Sequence, residues 1–176
     1  MVEILRETED APASYPPPPG SMSAEAQALD ASALWRRIEN WIRYRWNERQ
    51  VVWLVKGTGT FEPRLTPAVI DSVETWGMGA WETASYEPSP LGIELDGGEY
   101  FRITATVGST DHPPADVFEA LRRLAEYLAD TAYAGRVATS SSRRVGDITV
   151  SSDRPAAWQA KALFYSGAAD LLRAYR

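Results

Sequence analysis

The segment Tyr100–Val107 constrains the fold most strongly, because its apolar and polar residues alternate strictly. The apolar positions are Phe101, Ile103, Ala105 and Val107. A period of two is typical of a β-strand with one buried face. Asp96-Gly97-Gly98 supplies residues that tolerate positive φ just before this segment, so we predict a β-hairpin with Ile93–Leu95.

Other parts of the region about 49–108 also favour β structure. The β-branched and aromatic run Val51–Val55 is followed by Gly57-Thr58-Gly59 and then by Thr60-Phe61-Glu62, which predicts a further hairpin. The segment Leu65–Trp76 fits both a short helix and a strand, and we interpret it as a strand. A phosphate-binding loop at Gly57–Gly59 is disfavoured, since Pro63 follows and no helix does.

Helical periodicity appears on both sides of this β region. A stripe of Leu34, Ile38, Trp41 and Ile42 predicts a first helix over about 24–46, and further helices are predicted over about 115–133 and 154–166. The expected fold class is therefore α+β. We expect a small helical bundle of three to four helices, with a β-hairpin-rich insertion between the first and second main helices.

The two ends of the chain differ in composition from the region between them. Residues 1–22 combine acids with Pro16-Pro17-Pro18-Pro19, so we expect a flexible arm that is dispensable for folding. The alternative for this arm is a peptide that docks on a neighbouring subunit. Residues 23–166 would form the domain, and a break at Gly167 would leave residues 167–176 as a separate tail.

Charge and composition exclude several classes of function. The chain has no cysteine and one histidine, which removes thiolate catalysis and cysteine-rich or multi-histidine metal sites, and we expect no cofactor. His112 lies beside two prolines, and Glu94, Asp96 and Glu99 lie on a predicted turn, so neither set is read as catalytic. A net charge of -6 without a basic stripe argues against duplex binding. The sequence has no apolar run near the length of a membrane span and no signal peptide, so we expect a protein made in the cytoplasm.

Two groups of residues are candidates for protein contacts. Trp35 and Trp46 flank the stripe that contains Trp41 and give the first helix a second apolar edge, which suggests a subunit interface at Trp35, Trp41 and Trp46. The alternative for each of these tryptophans is packing in the domain's own core. The C-terminal segment carries Leu171, Leu172, Arg173, Tyr175 and Arg176, and we expect it to project from the domain and bind a partner by strand addition. The alternative is that Leu171 and Leu172 complete the domain's own core.

Three motifs, in this order, resemble the head-tail connector, or adaptor, proteins of tailed bacteriophages and gene transfer agents. They are Pro113-Pro114-Ala115-Asp116-Val117 opening a helix, Arg144-Val145-Gly146-Asp147-Ile148-Thr149-Val150-Ser151, and Leu171-Leu172-Arg173-Ala174-Tyr175-Arg176. Ala174 stands where proline is usual in that family. The likeness in element order covers about residues 30 to 176.

The resemblance implies a virion protein at the head-tail interface, not an enzyme. Copies would form a twelvefold ring on the portal protein, contact the stopper or tail-completion protein, and extend the channel through which DNA passes without sequence-specific binding. The residues Leu171, Leu172, Arg173, Tyr175 and Arg176 would then bind the portal. A carbohydrate-binding or tail-associated module is the alternative, because seven tryptophans could supply stacking surfaces.

Overall fold

The computed structural model describes residues 2–130, 140–145, 148–153 and 157–176. The chain divides into two compact units. Unit 1 comprises Met1–Tyr15 and Arg43–His112, and unit 2 comprises Pro16–Ile42 and Pro113–Arg176.

Unit 1 consists of eight strands in two antiparallel sheets. The strands are β1 Glu3–Glu9, β2 Arg49–Lys56, β3 Gly59–Phe61, β4 Ala68–Gly77, β5 Ala80–Thr83, β6 Glu87–Ser89, β7 Gly92–Leu95 and β8 Tyr100–Val107. The larger sheet has the order β1-β2-β8-β4-β5, and the smaller sheet has the order β3-β7-β6.

Both sheets contribute side chains to one hydrophobic core. Strand β8 buries every second residue from Phe101 onward, in agreement with its alternating sequence. The ring of Trp53 in β2 lies 5.5 Å from that of Phe61 in β3, so aromatic packing joins the two sheets. The core comprises Val51, Trp53, Val55, Phe61, Leu65, Val73, Ile93, Leu95, Phe101, Ile103, Ala105 and Val107.

The two turns that we predicted as hairpins instead connect different sheets. β2 and β3 lie in different sheets, and so do β7 and β8. Gly57 and Gly97 both adopt positive φ, which suits a crossover between layers as well as a tight hairpin. The backbone N–H of Gly57 donates to the carbonyl of Glu99 at 2.8 Å, which ties the two crossovers together. Both hairpin predictions were therefore wrong.

The N-terminal arm is a strand and not a flexible segment over Glu3–Glu9. This strand, β1, pairs antiparallel with β2, and Ile4 packs against the core. Trp53 donates its indole N–H to Glu7 at 2.7 Å, and Glu9 accepts from Arg45 at 2.6 Å. Two of the acids that suggested a solvated tail, Glu7 and Glu9, are thus partners of buried donors in unit 1.

Unit 2 holds the helices and a separate hairpin. The helices are α1 Ala24–Gln27, α2 Ala31–Ile42, α3 Ala115–Ala129, α4 Ala162–Tyr165 and α5 Ala168–Leu171, followed by a 3₁₀ helix over Leu172–Tyr175. Strands β9 Ser140–Val145 and β10 Ile148–Asp153 form a two-stranded antiparallel sheet. The motif Arg144–Ser151 lies on this hairpin, except for residues 146–147, which are outside the described residues.

The prediction of a helical bundle was wrong, because the protein is mainly β-sheet with only a few short helices. Among the described residues, only α2 and α3 exceed one turn, with 12 and 15 residues. The predicted insertion region instead supplies seven of the eight strands of unit 1, and β1 joins them from the N-terminus. The strands of both sheets bury one face in a core of their own, so they form a separate unit and not an insertion in a helical bundle.

The first predicted helix is shorter than expected for two local reasons. Asp30 accepts hydrogen bonds from the backbone N–H and the hydroxyl of Ser32, which starts α2 as a new helix. Arg43 then adopts φ 63°, a left-handed conformation that ends the helix. Trp46 consequently lies outside the helix and in unit 1.

The later helices also differ at their ends. Pro114 precedes α3, which begins at Ala115 as predicted and ends at Ala129. Of the predicted 115–133 and 154–166, residues 131–133 and 154–156 lie outside the described part of the chain. Residues 157–161 form turns before α4 begins.

Candidate functional site

The C-terminal segment is folded onto unit 2 and does not project as an extended tail. It forms α5 and the 3₁₀ helix, and the contacts of α5 are with α3. Leu172 is 0% exposed, so it belongs to the core of unit 2. The alternative that this leucine completes the domain core is therefore correct, and strand addition by this segment is excluded because its backbone is already helical.

Tyr175 and Asp116 join the first and last of the three motifs. The hydroxyl oxygen of Tyr175 lies 2.8 Å from both carboxylate oxygens of Asp116, to which it donates. Burial, together with this hydrogen bond, raises the pKa of Tyr175 above its usual value. Asp116 also accepts from the backbone N–H of Val117 at the start of α3. The C-terminus is therefore held against the first turn of α3.

The remaining predicted C-terminal contact residues differ in exposure. Leu171 is half-buried, whereas Arg173 and Arg176 are exposed. Arg173 pairs with Asp170 one turn away at 3.1 Å. Of the predicted contact residues, the two arginines are thus open to another molecule, and Leu171 and Tyr175 are open in part.

The three tryptophans predicted at a subunit interface do not share one surface. Trp35 is buried in unit 2, where its indole N–H donates to the carbonyl of Pro16 and its ring meets Phe118 edge-on. Trp46 is buried in unit 1 beside Tyr44. Because both of these rings are buried, only Trp41 of the three, which is half-buried, remains as a surface residue.

Trp41 is the centre of an aromatic and cationic cluster on unit 2. Phe164 meets the Trp41 ring edge-on at 4.9 Å between centroids, and the Arg176 guanidinium lies 4.7 Å from the centroid of the same ring. Phe164 is 57% exposed. Among the described residues, the buried indole N–H of Trp41 has no hydrogen-bond acceptor. The cluster therefore presents aromatic surface beside a free positive charge.

Two further basic residues border this cluster. Arg37 lies one helical turn before Trp41 in α2, and Lys161 lies one turn before Phe164, whose backbone N–H donates to the Lys161 carbonyl. Neither forms an ion pair within the described ranges. We name Arg37, Trp41, Lys161, Phe164 and Arg176 the basic aromatic patch. Sequence reasoning missed Phe164 because helical periodicity places Trp158, Ala162 and Tyr165 on one face of the last predicted helix and leaves Phe164 off that face.

A second aromatic group lies on the larger sheet of unit 1. Trp76 and Trp81 face each other across β4 and β5, with ring centroids 5.1 Å apart, and Trp76 is 47% exposed. The Arg102 guanidinium lies 4.8 Å from the centroid of the Trp81 ring. Arg102 also forms a bidentate ion pair with Glu74, at 2.6 and 2.7 Å, which lowers the pKa of Glu74. This face of the sheet therefore presents the exposed ring of Trp76 beside the Arg102–Glu74 ion pair.

The acidic residues considered as catalytic candidates lie on strand ends and turns. Asp96 accepts from the backbone N–H of Gly97, and Glu99 pairs with Lys56 at 3.3 Å. His112 is exposed at the end of unit 1. No group of three or more histidine, aspartate or glutamate side chains within the described ranges is placed to hold a metal ion. Across that part of the chain, every helix is too short or too polar to cross a membrane.

Comparison of the chain with protein-family models, with curated proteins and with solved structures gives no match.

Proposed function

We propose that this protein is a structural head-tail adaptor of a tailed phage or gene transfer agent, without catalytic activity. In this proposal, copies form a ring on the portal protein and extend the DNA channel toward the stopper and tail. The protein would be made in the bacterial cytoplasm and would act in the particle.

The observation that carries the proposal is the contact between Tyr175 and Asp116. The resemblance to adaptors rests largely on the segments around these two residues, which are far apart in sequence. Their hydrogen bond makes them parts of one structural feature of unit 2. Two short motifs whose residues contact each other in the fold support the resemblance to adaptors better than two short matches that lie apart would.

The charge of the chain is consistent with a conduit for DNA. Unit 1 contains 14 acids and seven bases, a net charge of -7, whereas unit 2 contains ten acids and 11 bases, a net charge of +1. A wall of the same sign as DNA lets a duplex pass without adhering, because no phosphates are neutralised. Unit 1 is therefore the part that we assign to the channel.

The proposal predicts a portal gene in the same genome, and the portal protein that this gene encodes supplies the test. Full-length protein is mixed with assembled portal rings, and the mixture is examined by gel filtration and negative-stain imaging. We expect an additional twelvefold layer on the portal. Failure to bind any portal ring from the same genome contradicts the proposal.

A carbohydrate-binding module is the second candidate, and Trp76 is the observation that favours it. Its exposed ring beside the Arg102–Glu74 pair could stack on a sugar while the charged groups bond to hydroxyls. Trp81 adds little free surface, since Arg102 already lies over its ring. Retention of the wild-type protein on polysaccharide columns, with loss in Trp76→Ala, would select this function over the adaptor.

A further inference from the structure

Copies of this chain carry two surfaces of opposite charge on different units. The first is the basic aromatic patch of unit 2, where Arg37 and Lys161 have no ion-pair partner among the described residues and Phe164 is largely exposed. The second lies on the smaller sheet of unit 1. An oligomer with heterologous contacts requires two such different, complementary surfaces on every subunit.

The outer face of the smaller sheet carries acidic side chains whose mutual repulsion lowers the stability of the sheet. Glu87 of β6 lies directly opposite Glu94 of β7, and Thr60 of β3 lies on the other side of Glu94. Like charges directly opposite in a sheet repel each other. Thr60 donates its hydroxyl to Glu94, but within the described ranges no cation pairs with either glutamate. Asp96 lies exposed just beyond β7 and adds to the negative charge.

We propose that the basic aromatic patch of one copy docks on the acidic face formed by Glu87, Glu94 and Asp96 of the next copy. Arg37, Lys161 and Arg176 would neutralise the repelling carboxylates, and Phe164 would be covered at the centre of the contact. The occupant is a second copy of the chain because unit 1 carries the net negative charge and unit 2 a positive one. Repeating this head-to-tail contact gives a ring if the rotation between neighbouring copies closes, as the adaptor function requires, and an open filament if it does not.

This inference rests on the proposed function, since it names the contact that would hold the adaptor ring together. Burial of an aromatic ring surrounded by charged pairs is the usual anatomy of a protein contact, with an apolar centre and a polar rim. Exposed charge pairs at the rim are screened by salt, so association should weaken as ionic strength rises.

Charge reversal tests the contact by sedimentation velocity of the full-length protein at low and high salt. The patch variant carries Arg37→Glu and Lys161→Glu, and the sheet variant carries Glu87→Lys and Glu94→Lys. We expect the wild type to associate at low salt, and each variant to associate roughly a hundredfold more weakly. A chain with all four changes restores opposite charges and should associate again.

Three controls make the result specific. Arg64→Glu and Glu82→Lys reverse exposed charges outside both surfaces and should leave association unchanged. Phe164→Ser should abolish most of the association but lower the melting temperature only slightly, because this side chain is 57% exposed and gives up only its edge contact with Trp41. Circular dichroism melting of every variant separates a lost contact from a lost fold.

Several outcomes overturn the inference. The inference fails if the wild type stays monomeric at low salt and high protein concentration. It also fails if association survives both charge reversals, or if the variant with all four changes does not associate again. Binding to portal rings is measured separately with the same variants. If the wild type binds portal rings and the charge reversals do not change its self-association, this contact is rejected and the adaptor function is kept. If self-association is lost and rescued as expected but the protein does not bind portal rings, the contact is kept and the adaptor function is rejected.

Discussion

Tyr175 donates its hydroxyl hydrogen to the carboxylate of Asp116, and the oxygen atoms of the two groups lie 2.8 Å apart. This hydrogen bond fixes the C-terminal 3₁₀ helix on the first turn of α3. The terminal Leu-Leu-Arg-Ala-Tyr-Arg segment, which we expected to extend toward a partner, is therefore part of the folded unit.

The Tyr175–Asp116 bond should make stability depend on alkaline pH. The pKa of Tyr175 is raised in the folded state by burial and by this hydrogen bond, so its contribution to stability is complete below the unfolded pKa of about 10. The contribution is lost as pH rises through the higher folded pKa. We expect urea unfolding to show the wild type more stable than Tyr175→Phe near neutral pH, with the difference vanishing under strongly alkaline conditions. A difference that is constant with pH would contradict this assignment.

Leu172 should be essential for the stability of unit 2. Its side chain is fully buried, so Leu172→Ala removes apolar contacts and leaves a cavity, at a cost of about 2–5 kcal/mol. Leu171→Ala is the matched control, since Leu171 is half-buried and its truncation should cost less. Thermal or urea unfolding of both variants measures the difference. Equal, small effects for the two leucines would show that the C-terminus does not belong to the core.

Glu9 should anchor β1 to unit 1. It bonds to the guanidinium groups of Arg45 at 2.6 Å and Arg49 at 3.0 Å, whose side chains are only 4% and 3% exposed. Burial tends to raise the pKa of Glu9, but the two arginines outweigh it and lower this pKa. Removing one partner of a buried ion pair costs about 3–5 kcal/mol.

The experiment compares Glu9→Gln with Glu3→Gln, which changes an exposed acid in the same strand. We expect a large loss of stability only for Glu9→Gln, and a similar loss when residues 2–10 are deleted. Unchanged unfolding after the deletion would restore the view of this segment as a dispensable arm.

Glu119 should support α3 down to unusually low pH. Hydrogen bonds from Arg122 and Arg123 lower its pKa to about 2, from an ordinary value near 4.5. A lowered pKa contributes stability above the unfolded pKa, and this contribution is lost as pH falls from about 4.5 through about 2. The melting temperature of the wild type should exceed that of Glu119→Gln at neutral pH and converge with it below pH 2. Melting curves that stay separated in strong acid would argue against this ion-pair network.

Trp41→Phe should preserve the basic aromatic patch. The indole N–H that this change removes is buried without a hydrogen-bond acceptor in the described part of the chain, so no hydrogen bond is lost. A phenyl ring still offers a surface to Phe164 and Arg176. We expect Trp41→Phe to unfold like the wild type and Trp41→Ala to be less stable, as measured by thermal denaturation. A strongly destabilised Trp41→Phe would indicate a partner for the N–H.

The pattern of burial within single elements was predictable from the sequence. The alternation of β8 identified its buried face, and the stripe of α2 identified Leu34, Ile38 and Ile42 as buried. Leu65–Trp76 was also correctly interpreted as extended over most of its length, since β4 covers Ala68–Gly77. These features depend on the spacing of apolar residues that are close together in the sequence, so the sequence alone reveals them.

The candidate site was predictable only in part. Trp41 and Arg176 were both singled out, but for two separate surfaces, and the structure brings them together around one ring. Phe164, Arg37 and Lys161 carried no signal as single residues. Their joint surface exists only because α2, α4 and the C-terminus pack in one unit.

The sequence by itself determined which residues prefer strands or helices and which face of each element is apolar. Only the tertiary structure decided which strands pair, that Glu3–Glu9 is the edge of a sheet, and that the C-terminal leucine closes a core. The physical reason is the range of the interactions. Turn residues such as Gly57 and Gly97 permit both a hairpin and a crossover, and Glu9 appears solvated until Arg45 and Arg49 are placed beside it. Burial and charge pairing between segments that are distant in sequence determine which strands pair and which charges meet. A pattern of neighbouring residues contains no information about such contacts.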